Sequence, residues 1–255
     1  MIFYFSGTGN SQFIAKQISQ EQQEELIAIS MACKNKQFEY DLKQNEKVIF
    51  VFPIYHCTVP SIAIDFIHKL TFKNQLPSYL TVIVTYGQRV GNTNKFILKK
   101  FESKNWQMHS FYTIKMPDNR WRKPKKEVDI RLIIAKEKVM TVNKNLLQRK
   151  QEYEDVKKNN PSLMPVITYF ITQSYDRNVK NFFANEDCIS CKICEKVCPI
   201  NCITVDRKPK WTKKCTKCLA CLNYCPKSAI QFKNWRNSNY RYTHPAILWY
   251  QLNQD

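Results

Sequence analysis

The sequence predicts an α/β protein: a doubly wound parallel sheet, then a helical connector, then a small α+β domain organised by cysteines. Three observations carry this. Over residues 1–117 short apolar runs alternate with helical periodicity, as in strands joined by crossover helices. The chain has only 4 glycines, where average usage would give about 18, and each follows a predicted strand at its carboxyl end. Of 11 cysteines, eight fall in two matching runs between positions 188 and 225.

The elements follow in order. Residues 1–5 form an apolar strand, followed by Ser6-Gly7-Thr8-Gly9-Asn10-Ser11 and a helix from 12 to about 20. A second strand is expected at 26–29. Residues 48–52 are apolar throughout, as in a strand buried on both faces. The loop 53–60 leads to a helix ending near 70. A fourth strand, 80–84, is closed by Thr85-Tyr86-Gly87-Gln88; a helix at 92–102 and a fifth strand at 111–116 complete the unit. The expected strand order is 2-1-3-4-5, with ligands at the carboxyl ends of the strands. Glycine there lets backbone N–H groups approach an anion closely.

Ser6, Thr8 and Ser11 add hydroxyls to a loop that opens a helix, the chemistry of a phosphate cradle. It has no lysine, so it is not the GxxxxGK[ST] nucleotide loop, nor is it G-x-G-x-x-G. A tight strand-to-helix turn is the plainer alternative. The loops after the third and fourth strands carry Pro53-Ile54-Tyr55 and Thr85-Tyr86-Gly87. Tyr55 and Tyr86 are candidates to border a flat ring, or simply to fill core. His56 could donate to such a ring or be incidental; Cys33 and Cys57 suit small buried hydrophobes.

Residues 119–126 (NRWRKPKK) form a basic loop. From 127 to about 158 one long helix is expected, because Val128, Leu132, Ala135, Val139, Val142 and Leu146 make one apolar stripe. Pro161 and Pro165 open a second helix running to 183.

The cysteine runs read C-x2-C-x2-C-x3-C-P twice, at an offset of 27 residues. This is the ligand run of a bacterial-type two-cluster ferredoxin, whose fourth cysteine ligates the other cluster. One [4Fe-4S] cluster is therefore assigned to Cys188, Cys191, Cys194 and Cys225, the other to Cys215, Cys218, Cys221 and Cys198. Structural zinc usually pairs two C-x2-C clips into a tetrahedron, which fits two triplets poorly. Cys202 is tempting as a ninth ligand, but its repeat partner is Ala229, so the position calls for a small residue near the cluster.

The formal charge of +19 is unequally built: residues 185–255 hold 12 Lys/Arg against 5 Asp/Glu, and residues 1–184 hold 28 against 16. Such a basic surface draws acidic partners or polyanions at long range. No apolar run approaches the roughly 20 residues of a spanning helix; the longest candidate, 163–171, contains a proline and a threonine. No signal peptide is seen, and thiolate ligands imply a reducing, cytoplasmic setting.

Residues 1 to about 117 resemble a flavodoxin, whose FMN-phosphate loop reads Thr/Ser-x-Thr-Gly-x-Thr/Ser, with Ser11 here for the commoner threonine. The resemblance implies FMN held at Ser6, Gly7, Thr8, Gly9, Asn10 and Ser11, its ring flanked by Pro53, Ile54, Tyr55 and by Thr85, Tyr86, Gly87. Residues 185 to about 232 resemble a dicluster ferredoxin. The order is similar to that of the flavodoxin–ferredoxin fusion family of anaerobic microbes. Phe182-Phe183, Lys208-Pro209-Lys210-Trp211 and Arg241-Tyr242-Thr243-His244-Pro245 are smaller matches. The implied division is 1–117 FMN-binding, 118–184 connector and 185–255 ferredoxin-like with a tail. The basic balance departs from the family's usual acidity.

Three functions follow. The first is electron transfer between FMN and two [4Fe-4S] clusters, coupling a two-electron couple to one-electron redox proteins such as an acidic ferredoxin or flavodoxin. The second is a reductase of a quinone or nitro compound using the same centres; no second glycine-rich loop is left for a nicotinamide cofactor. The third is a nucleic-acid binder, suggested by Arg120-Trp121-Arg122-Lys123 and Lys233-Asn234-Trp235-Arg236. It lacks any recognition motif.

Overall fold

A computed structural model describes residues 1–154, 179–212, 215–233 and 240–254. The first part runs β1 (Ile2–Tyr4), α1 (Asn10–Gln22), β2 (Leu26–Ala28), α2 (Ile29–Lys34), β3 (Glu39–Tyr40) and β4 (Lys47–Pro53). It continues α3 (Ser61–Lys69), β5 (Thr71–Phe72), β6 (Tyr79–Tyr86), α4 (Thr93–Glu102), β7 (Ser110–Lys115), α5 (Lys125–Leu147) and β8 (Glu152–Tyr153). One sheet has the order β2-β1-β4-β6-β7-β8, and every pairing in it is parallel. The five expected strands therefore lie in the expected order. The short parallel pair β3–β5 is an addition.

The sixth strand corrects the expectation of one helix to about residue 158. α5 ends at Leu147, and Arg149 takes a positive φ of 50° that turns the chain. Hydrogen bonding to the sheet edge then outcompetes further helix. Glu154 accepts bonds from Thr113 N–H and Thr113 Oγ1, both at 2.8 Å, and Tyr153 donates its hydroxyl to Met108 O. An edge strand left bare would present unpaired N–H and C=O groups, and β8 covers part of that edge. The expected second helix and the apolar run 163–171 lie in 155–178, outside the described residues. Where that helix would end, Phe182–Ala184 is a strand.

Side chains alternate across each strand, so the sheet carries two cores. Phe3, Phe50, Val82 and Phe111 face α3 and α4, with Phe50 and Phe101 rings 5.4 Å apart. Tyr4, Ile49, Ile83 and Ile114 face α1 and α5. The α5 stripe supplies Ala135, Val139, Val142 and Leu146 to this second core, with Leu132 half-buried. Leu146 is fully buried. Leu146→Ala is expected to destabilise the fold by about 2–5 kcal/mol, seen as a lower urea midpoint at unchanged slope.

The second part is built twice. Strands β9 (Phe182–Ala184) and β11 (Pro209–Trp211), one-turn helices Ile193–Lys196 and Ala220–Asn223, and strands β10 (Ile203–Val205) and β12 (Ile230–Phe232) recur at the 27-residue offset. Left-handed residues recur with them: Ser190 and Lys217, Lys192 and Leu219, Asn201 and Ser228. Strand pairing crosses between the copies, since β12 pairs with β9 and β10 with β11, both antiparallel. Among the described residues no helix is long and apolar enough to cross a membrane.

The two parts share a core. Val197, Cys218, Ala220, Ile247 and Leu252 belong to the same buried cluster as Phe3 and Phe52. Residues 240–254 return across the start of the sheet: Asn253 exchanges two bonds with the Ser6 backbone, and His244 N–H donates to Thr8 O at 2.8 Å.

Candidate functional site

A cavity of about 600 Å³ opens at the carboxyl ends of β1, β4, β6 and β7, within the roughly 300–1,000 Å³ typical of small-molecule sites. Ser6, Gly7, Thr8, Asn10 and Ser11 line one end; Pro53, Ile54, Tyr55, Thr85, Tyr86 and Gly87 line the walls. Of the twelve loop residues expected there, eleven meet in one place. Gly9 sits behind the lining as the cap of α1, with φ 92°, a conformation few other residues adopt without strain.

The first loop has the features of an anion cradle. Among the described residues, the N–H groups of Gly7, Thr8, Asn10 and Ser11 find no acceptor. Those of Asn10 and Ser11 open the first turn of α1, which contains no acidic side chain to compete for the positive helix end. Ser6 Oγ accepts the Gly9 N–H at 3.1 Å and Ser11 Oγ bonds Thr85 Oγ1 at 2.8 Å. These bonds fix the loop against the neighbouring strand.

Apart from His56, the rest of the lining was not anticipated as part of the site. Arg89, Arg120, Lys217 and Lys233 bring positive charge to the mouth, and the last two come from the second part of the chain. Burial, then Arg120 and Lys217, push the His56 pKa below its ordinary value, which favours the neutral imidazole. No periodicity announces such a mouth; only the folding of the two parts together creates it.

The cysteines ring two further cavities. Cys188, Cys191, Cys194 and Cys225 line one; Cys198, Cys215, Cys218 and Cys221 line the other, together with Cys202. The crossed grouping expected from the repeat is the grouping found. Among the described residues no three His, Cys, Asp or Glu side chains converge closely enough to share a single metal ion. Left-handed residues recur between the cysteines, at Ser190, Lys192, Lys217 and Leu219, a turn chemistry that suits a concave anion-binding nest of N–H groups. Lys217 N–H donates to Cys215 Sγ at 3.3 Å in this way. Burial raises Cys218 and Cys221 well above the ordinary thiol value. The Thr216 hydroxyl, buried beside the second cavity, has no partner among the described residues.

One wall is common to the ring cavity and the second cysteine cavity, because Leu219 lines both. The approach is close. A Cβ on Gly7 would lie 2.6 Å from Cys218 O and 2.4 Å from Tyr55 Oη.

The returning tail is expected to make the loop sensitive to acid. The His244 ring stacks on Phe13 at 4.1 Å, and Ala246 N–H donates to its Nδ1. Burial and Lys136 lower its pKa to about 4 from 6.5. The unfolded chain therefore binds a proton that the folded one refuses. Its contribution, on the order of 3 kcal/mol at most, is present above pH 6.5 and lost as pH falls through 4. The urea midpoint should drop between pH 7 and pH 4, and His244→Gln should flatten that profile.

Residues 1–119 match the family model described as the flavodoxin domain. Solved structures similar to the chain include a putative flavoprotein from Bacteroides uniformis, at 16% identity and TM-score 0.36, covering 46% of this chain and 90% of that one. The flavodoxin of Streptococcus pneumonia TIGR4 is 15% identical with TM-score 0.34, covering 55% and 97%. An FMN-dependent NADH-azoreductase from Bacillus anthracis is 10% identical with TM-score 0.33, covering 56% and 98%. No curated protein matches the chain. The sheet is thus a flavodoxin-like parallel sheet, and residues 1–119 carry the signature of that domain.

Proposed function

We propose that this chain transfers electrons between an FMN held by residues 1–119 and two [4Fe-4S] clusters held by a ferredoxin-like second part. The observation that carries it is the common wall at Leu219, where Gly7 meets the Cys218 backbone and an FMN-sized cavity adjoins a ring of cysteines. A flavin handles electron pairs and a cluster single electrons, while the protein binds, orients and tunes them.

The residues fit these groups. The unpartnered N–H groups of the first loop suit a phosphate, and Tyr55 and Tyr86 stand at the cavity walls for a ring. Thiolates at Cys218 and Cys221, costly when buried alone, become favourable once iron replaces their protons. The nest N–H groups and Thr216 Oγ1 would donate to sulfur.

Anaerobically purified protein should contain about one FMN and about eight iron with as many sulfides, with an absorption spectrum bleached by dithionite. Zinc in place of iron, or a flavin site left empty under saturating FMN, would overturn the assignment.

The far cavity supplies the outlet. Cys191 and Ile189 are exposed there, beside Lys192 and Lys227, a basic rim suited to an acidic one-electron protein. Lys192→Glu with Lys227→Glu should slow reduction of such a partner at low salt and little at high salt. The open cationic mouth at Arg89 and Arg120 favours a second reading, reduction of a small quinone or nitro compound. Steady-state assays with and without a protein carrier separate the two.

A further inference from the structure

We infer that Cys202 is a reserve ligand for the cluster site formed by Cys198, Cys215, Cys218 and Cys221. This rests on the iron–sulfur reading above. Cys202 lines the same cavity as those four cysteines and is 2% exposed. Its sulfur lies 3.5 Å from Cys198 Sγ, and its own N–H donates to that sulfur at 3.2 Å. The intervening turn explains this proximity. Asn201 takes a left-handed φ of 51°, and the chain after Pro199 folds residue 202 back onto residue 198.

The internal repeat provides the contrast. At the other site the fourth ligand is Cys225, and the residue four positions later is Ala229, which also lines its cavity and is buried. A methyl group therefore satisfies the packing at this position, and the thiol of Cys202 adds something packing does not require. The Cys202 thiol reaches Cys198 and Cys215 of one site, whereas the equivalent position in its twin holds only a methyl group.

Exchange needs no redox partner. With iron in the site, the Cys202 thiol would give up its proton on bonding iron and the departing Cys198 sulfur would take one, leaving charge and electron count unchanged. Both residues belong to the first copy of the repeat. The covalent tie between the two copies survives the swap.

The test measures iron and sulfide per chain after anaerobic purification, with electron paramagnetic resonance of the reduced protein. Cys198→Ala should keep near wild-type iron and sulfide, with an altered spectrum. Cys198→Ala with Cys202→Ala should lose about half, and so should Cys225→Ala, which has no spare thiol. Cys202→Ala alone should be fully loaded. Equal loss in the Cys198 single and double variants would overturn the reserve role, whatever their effect on folding, because both lack the same ligand. Iron loss in Cys202→Ala alone would make it a resident ligand and also overturn it. Wild-type protein devoid of iron would instead remove the function proposed above.

Discussion

Gly7→Val is expected to part the two halves of the molecule and to weaken FMN binding by about 10- to 100-fold. The backbone φ at Gly7 is not in the left-handed region, so the effect is steric. An added Cβ would sit 2.6 Å from a backbone carbonyl, Cys218 O, and 3.1 Å from Cys218 Cβ. The Tyr55 hydroxyl at 2.4 Å is the end of a side chain and can swing; the carbonyl cannot move without carrying its loop. Overpacking of this kind typically costs about 1–3 kcal/mol. Relief comes by opening the wall at Leu219, which removes lining from the ring cavity. If that whole cost falls on the closed form, affinity drops by the stated one to two decades. The measurement is FMN titration by fluorescence quenching, with Tyr55→Phe as control. Unchanged affinity in Gly7→Val would show that the cavity does not depend on contact with the second part.

The position of Gly7 was legible in the sequence; its purpose was only half so. A glycine after the first strand reads as room for a phosphate, and the loop does leave four N–H groups without an acceptor among the described residues. The same missing side chain also admits Cys218, about two hundred residues later. No local pattern could announce that. Parallel strands buried on both faces read as unbroken apolar runs, so β1, β4, β6 and β7 were plain. β8 was not, because Glu152-Tyr153 is short, polar and defined by its bonds to the edge of β7. The 27-residue repeat forecast the cysteine grouping because a duplicated unit inherits its geometry. Asn253, whose side-chain amide bonds the Ser6 backbone, and Gln251, whose carbonyl accepts from Gln12, secure the tail with no pattern to announce them; His244 lies in the 241–245 match, but its bond to Thr8 O is a backbone one that the match does not reveal.

If the cysteine cavities hold the clusters proposed above, removal of their iron is expected to unfold the second part and, through it, to loosen the flavin. Ser190, Lys192, Lys217 and Leu219 are non-glycine residues in left-handed conformation. At roughly 1–2 kcal/mol each, they store on the order of 4–8 kcal/mol, comparable to the whole stability of a small domain. The packed core here is little able to offset this, since Cys194, Cys198, Cys202 and Cys221 are four of its nine buried members. Bonds to iron would hold the loops closed. Without them the thiols reprotonate, Cys218 and Cys221 most readily because burial raises both. Chelation of the oxidised protein should therefore make residues 185–233 sensitive to protease while the parallel sheet persists. Lys217, Leu219 and Phe232 line the ring cavity, so FMN affinity should fall by about tenfold or more, equivalent to some 1.4 kcal/mol. Reconstitution with iron and sulfide should restore both properties together. A chelated chain that stayed protease-resistant and bound flavin normally would mean that the loops hold their shape unaided, leaving the clusters no structural role at the common wall.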